Sequence, residues 1–275
     1  MVRKSSSMRR LVPLVPLVLF AALVAGCGKS ASQKASSTPA TTSTAATTTT
    51  TTTTETAPTF PTTFVRAYFL RDGKVGPVGR EVPQTRAVAF AALEELFSGP
   101  SATDRADGLT TALPATASPG AITLVGHVAV VDLPQLSHAA LGQIVYTLTQ
   151  FPSVTGVRTS RSLGDTAPLT RADFEDVTPA ILVESPLPHE TVASPLRVHG
   201  TANTFEATFD VRLLDAAGKT LVRKVVTATS GSGTRGTYET TLTFSDALIP
   251  RWLEVFEPSA ENGRPLHMVR IPLNG

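Results

Sequence analysis

Apolar residues follow two different rhythms along this chain. Between Arg86 and Ser98, Ala89, Phe90, Leu93, Leu96 and Phe97 recur at helical spacing while Glu94 and Glu95 point away, and Gly99-Pro100 supplies a stop. Leu141, Ile144, Val145 and Leu148 repeat the rhythm and predict a second helix over about 137–150, ended by Phe151-Pro152. Around these helices lie strand-like runs at 63–70, 78–82, 122–125, 128–133 and 154–160, with Gly126-His127 suited to a type II′ hairpin turn. The predicted order is ββαββαβ, a small α/β layer unit. Beyond a polar, acidic connector at Arg171–Asp176 the period falls to two. Phe209, Val211 and Leu213 alternate with Asp210 and Arg212, and Tyr238, Thr240, Leu242 and Phe244 with Glu239, Thr241 and Thr243. Seven such strands in about 98 residues predict an immunoglobulin-like sandwich.

Neither rhythm is present before residue 62. Residues 1–10 carry Arg3, Lys4, Arg9 and Arg10 and no acid, and Leu11–Val24 is an apolar run interrupted by Pro13 and Pro16. That is the order of a secretory signal peptide, and the run is shorter than the ~18–20 residues a spanning helix needs. Leu23-Val24-Ala25-Gly26-Cys27 resembles a bacterial lipobox. The resemblance implies diacylation of Cys27, which becomes the first residue of the mature chain and attaches it to membrane lipid. From Gly28 to about Pro61 the chain is Ser, Thr, Ala and Pro, with an unbroken threonine run at Thr47–Thr54. Such a segment buries too little apolar area to offset its ordering entropy and is expected to be a disordered tether, either a bare spacer or an O-glycosylated stalk.

Charge then changes the picture. The chain is formally +2, but residues 1–26 hold four of its 24 basic residues and none of its 22 acids, and residues 60–275 carry 18 basic and 21 acidic side chains. A folded body at −3 lacks the basic footprint of a nucleic-acid binder. One cysteine excludes an intrachain disulfide and a four-cysteine zinc site.

Two segments resemble known families. Leu93–Pro100, Thr111–Pro114, Val130–Leu133 and Gln143–Pro152 look like successive motifs of the GerMN domain, with a short loop from Leu133 to Leu141 where a longer one is often found. Ile181–Pro186, Val198–Ala207, Thr227–Gly236, Phe256–Gly263 and Val269–Pro272 resemble the immunoglobulin-like Gmad domain of spore germination proteins. Together they imply an α+β chain in which a small α/β GerMN-like domain precedes an all-β immunoglobulin-like sandwich, behind a disordered Thr-rich linker. The expected boundaries are a signal peptide at 1–26, a lipid-anchored tether at 27–61, a GerMN-like domain at 62–165, a linker at 166–177 and the sandwich at 178–275. The resemblance implies a noncatalytic module of the cell envelope whose partners are envelope proteins or further copies of itself. Cell-wall glycan is the alternative ligand.

The remaining candidates are weaker. Gln143, Thr147 and Gln150 fall at i, i+4 and i+7 and form a polar stripe, either a partner-binding face or a solvated helix surface. Gly231-Ser232-Gly233-Thr234-Arg235-Gly236 fits G-x-G-x-x-G, yet a strand follows it rather than the helix that phosphate binding needs. Trp252 is either a sugar-stacking platform or half-buried core, and Asn203–Glu206 either caps a binding loop or makes a turn. His127, His138, His189, His199 and His267 show no metal-pair spacing, and no catalytic motif accompanies them. No enzyme activity, cofactor or metal is expected.

Overall fold

The computed structural model describes residues 61–160 and 167–275. The leader, Cys27 and nearly all of the threonine tether lie outside them. Among the described residues no helix is long and apolar enough to cross a membrane.

β1 (Thr62–Arg71) and β2 (Lys74–Pro83) form an antiparallel hairpin turned at Asp72-Gly73. Helices α1 (Val88–Ser98) and α2 (Ala102–Ala106) follow, then β3 (Ile122–Val125) and β4 (Val128–Val131). Gly126 has the positive φ of a type II′ turn, +61°, between them. α3 (His138–Leu148) carries the chain to β5 (Gly156–Thr159), which pairs parallel to β4. α2 is the element the periodicity misses. Its five residues are too few for a rhythm, but Ser101 and Asp104 close a reciprocal capping box at its start.

α3 is the hub of this half, packed on β1, β2, β5 and α1. Tyr68, Phe69, Leu93, Leu96, Ile144 and Leu148 are fully buried around it. The polar connector is not a loose link. Arg171–Val177 folds as a kinked 3-10 helix on α3, and its Phe174 and Val177 enter the same core. Its four charged residues mask these two apolar ones, which are three apart and share a face.

The second half consists of β6 (Ile181–Ser185), β7 (Leu196–Ala202), β8 (Thr208–Leu214), β9 (Thr220–Thr227), β10 (Gly236–Leu242), β11 (Trp252–Pro258) and β12 (Pro265–Pro272). They make two sheets, β10-β7-β6 and β12-β11-β8-β9. The alternation works as expected: Phe209, Val211 and Leu213 face a core shared with Tyr238, Leu242, Leu253 and Val255. Phe209 meets Tyr238 edge-on at 4.8 Å between ring centres.

Candidate functional site at the junction of the two halves

β1 has β2 on one side only, so its other edge must find partners elsewhere. Alternate residues point that way, and each is satisfied in turn. Gln150 accepts from the Arg66 N–H at 2.8 Å and returns a bond to the Arg66 carbonyl at 2.7 Å. Thr147 Oγ1 accepts from Tyr68 N–H at 3.1 Å, and Gln143 Nε2 donates to the Tyr68 carbonyl at 2.9 Å. Leu70 exchanges both its groups with Thr110, each at 2.8 Å. The polar stripe of α3 is therefore neither a partner face nor a solvated surface. Gln143 and Thr147 are fully buried, and the stripe takes the place of a missing strand. Its composition held the clue, because it lacks the Lys and Glu of an ordinary wet helix face.

Next to this edge, five ionisable side chains from four elements meet. Tyr68 from β1 donates to the carboxylate of Glu184 from β6, and Arg171 from the 3-10 helix donates to the same oxygen at 2.9 Å. The Arg171 guanidinium lies 4.6 Å from the centre of the Tyr146 ring and also donates to Thr149 Oγ1 at 2.8 Å. Arg66 Nε donates to the Glu184 carbonyl at 3.1 Å, and the Tyr146 hydroxyl bonds Thr178 at 2.7 Å. Burial alone would raise Glu184, but the Arg171 charge and the bonds from Tyr68 and Arg171 outweigh it and hold the carboxyl below its usual range. Burial first, and Glu184 second, push the Tyr68 phenol far up, so it stays protonated and donates.

A second clamp stands close by. Arg235 binds Glu175 through two bonds, 2.8 and 2.9 Å, and donates to the Pro179 carbonyl. Asn203 donates to Glu175 at 2.7 Å and accepts from the Gly233 N–H at 2.9 Å. Asn203 thus performs turn chemistry. The glycine-rich run is the turn between β9 and β10, and a Cβ on Gly231 would lie 2.4 Å from the Thr204 carbonyl oxygen. Its glycines allow close loop packing.

Around the corner, a cleft of about 470 Å³ opens between the β1–β2 turn, the start of β6 and the outer edge of β12. Val75, Leu109, Ile181, Val183, Ile271 and Trp252 make its walls largely apolar. Trp252 is half-buried in the cleft wall, with one ring face covered by Arg270 at 4.1 Å. The histidines scatter: His138 bonds Asp176 at 2.8 Å, His189 bonds Asp107 at 2.6 Å and His267 lies 3.9 Å from Glu257. Among the described residues no three metal-ligating side chains gather.

Residues 66–160 match the Germane family model, described as sporulation and spore germination, and residues 180–264 match Gmad2, the immunoglobulin-like domain of bacterial spore germination. The chain joins a GerMN-like domain to a Gmad immunoglobulin-like domain. Neither description names a catalytic activity. Among solved structures, the chain is similar to the tandem GerMN domains of the sporulation protein GerM from Bacillus subtilis, at 22% identity and a TM-score of 0.35. That match covers 43% of this chain and half of the Bacillus one. A crystal structure described as a lipoprotein from Clostridium perfringens is 18% identical with a TM-score of 0.27, over 41% of this chain and 89% of the other. No curated protein matches the chain. The Tyr68–Glu184–Arg171 cluster joins the GerMN-like domain to the Gmad domain and to the segment between them.

Proposed function

We propose that this chain is an extracytoplasmic lipoprotein, anchored through a diacylated Cys27 and acting as a noncatalytic interaction and structural module in cell-envelope assembly. The observation that carries this reading is how the molecule uses its buried ionisable groups. Tyr68, Glu184 and Arg171 spend their donors and acceptors on one another across the domain junction. A general acid, base or nucleophile needs a group free to meet a substrate, and these are occupied. The pair of domains then offers its surroundings surfaces rather than reactive groups.

The sequence supports the rest. Two acyl chains, at ~0.8 kcal/mol per buried methylene, suffice for stable anchoring without a spanning helix. The Ser/Thr/Ala/Pro segment between Cys27 and the first domain serves in this reading as a spacer between the lipid anchor and both domains. Its partners are envelope proteins or further copies of this chain. The glycan reading is less favoured, since Arg270 already covers one face of Trp252.

Metabolic labelling with an alkyne fatty acid, followed by fractionation and in-cell crosslinking, tests the proposal. Wild-type protein should carry label, sediment with membranes and crosslink to proteins, while Cys27→Ala loses the label and the membrane fraction. Unlabelled wild-type protein would refute the anchor. Saturable binding to purified cell wall that Trp252→Ala abolishes would refute the assembly reading in favour of glycan binding.

A further inference from the structure

The cleft beside Trp252 has more than apolar walls. β12 is an edge strand, and its antiparallel pairing leaves alternate residues facing away from β11. The Pro272 carbonyl, facing that way, accepts from the His189 N–H at 2.8 Å. The Arg270 carbonyl faces the same way and receives only a long 3.4 Å bond from Arg71. By the same alternation the Arg270 N–H points into the cleft, ready for a carbonyl. The cleft also holds a guanidinium left over from ion pairing. Arg270 is committed to Glu254 at 3.3 Å, and Asp107 to His189. Arg71 has no carboxylate partner among the described residues, and its Nε–H is buried without an acceptor.

We infer that this cleft captures the C-terminal end of an extended peptide. The peptide adds to the β12 edge through Arg270, places an apolar side chain against Trp252 and its cross-strand neighbour Pro272, and sets its terminal carboxylate on the Arg71 guanidinium. A chain terminus suits the site better than an acidic side chain. Arg71 sits at hydrogen-bonding range of the Arg270 carbonyl, so the cation stands at the strand edge itself, where a peptide's own backbone ends. This inference goes beyond the anchoring proposal and holds whether or not Cys27 is acylated.

Trp252 is the chain's only tryptophan and lines the cleft, so its fluorescence reports occupancy. The experiment titrates full-length protein, purified in detergent, with the acetylated tetrapeptide Thr-Ser-Val-Leu as free acid and as C-terminal amide. Hexanoate serves as an apolar acid lacking a peptide backbone. The free acid should bind saturably and shift the Trp252 emission, with the amide weaker by about ten-fold or more, the loss of one charge-assisted pair. Arg71→Gln should bring the acid down to the level of the amide. Arg71→Lys, which keeps the charge but not the fork, should give an intermediate ratio and guards against a folding defect in the first variant. Equal binding of acid and amide, an unchanged ratio in Arg71→Gln, hexanoate competing as well as the peptide, or no saturable binding would each overturn the inference.

Discussion

Glu184→Ala tests whether the buried cluster joins the domains. The substitution removes the acceptor of both the Tyr68 hydroxyl and Arg171 Nη1. Breaking a buried ion pair by deleting one partner costs about 3–5 kcal/mol, chiefly because the surviving charge is left uncompensated. The lower end applies here. The side chains of Arg171 and Glu184 keep 26% and 15% of their exposure, and Arg171 retains Thr149 and the Tyr146 ring. The stranded Tyr68 hydroxyl belongs to the same network, so its cost of ~1–3 kcal/mol overlaps rather than adds. The expected loss is therefore roughly 3 kcal/mol. With an m-value of about 3 kcal/mol per molar urea, the midpoint falls by about 1 M. Urea titration of the full chain, followed by Trp252 emission and far-UV circular dichroism, measures it. Glu184→Leu combined with Arg171→Met should cost less than the two single changes together, by about 1.5 kcal/mol or more. A midpoint shift within about 0.2 M for Glu184→Ala, or strict additivity in the pair, would refute a buried, coupled cluster.

Acid should expose the same cluster. Glu184 and Asp104 are both held below their ordinary values: burial opposes this in each case, and Arg171 with Tyr68, or Arg80 with Ser101, outweighs it. Their contribution is complete above the unfolded carboxyl values of about 4 and is lost as pH falls through the lower folded-state values, so stability should decline below about pH 4. Glu184→Gln should flatten that decline, and an unchanged acid limb would count against it. Gln143→Leu leaves the Tyr68 carbonyl and the Ala112 N–H without partners. It should cost about 2–3 kcal/mol, or a fall of roughly 5–10 °C in melting temperature by calorimetry. Gln143→Glu should cost at least as much, since a carboxylate cannot donate to Tyr68. Gly200→Ala would place a Cβ 2.0 Å from the Leu182 carbonyl oxygen. It should destabilise by roughly 3 kcal/mol, the upper end for overpacking, and a neutral melt would show that β6 and β7 separate easily there.

The elements were legible where burial and periodicity coincide. Phe209, Val211 and Leu213 alternate because each faces the sandwich core, and Leu141 to Leu148 repeat because one face of α3 meets the β-layers. The junction was hidden for the opposite reason. Tyr68, Glu184 and Arg171 are separated by more than a hundred residues in the extreme pair, and no local pattern announces that they meet. Gln143, Thr147 and Gln150 were visible as a stripe but not as buried groups, because spacing gives the direction of a face and not what lies against it. Arg171–Val177 misleads in the same way, its charges outnumbering Phe174 and Val177.

The bonds that α3 and Gln150, two residues past its last turn, make to β1 also govern how this region opens. A Gln side chain ends in a primary amide, the same functional group as the peptide link, so Gln150 engages Arg66 as a neighbouring strand would. The Arg66 and Tyr68 amide protons should therefore exchange with solvent as slowly as those of a central strand, despite lying on the side of β1 away from β2. Releasing them requires lifting a helix that also packs on α1, β2, β5 and the 3-10 segment. Exchange in the middle of β1 should then report concerted loosening of the whole first domain and not local fraying, so deuterium uptake at Arg66 and Tyr68 should rise in step with uptake along α3.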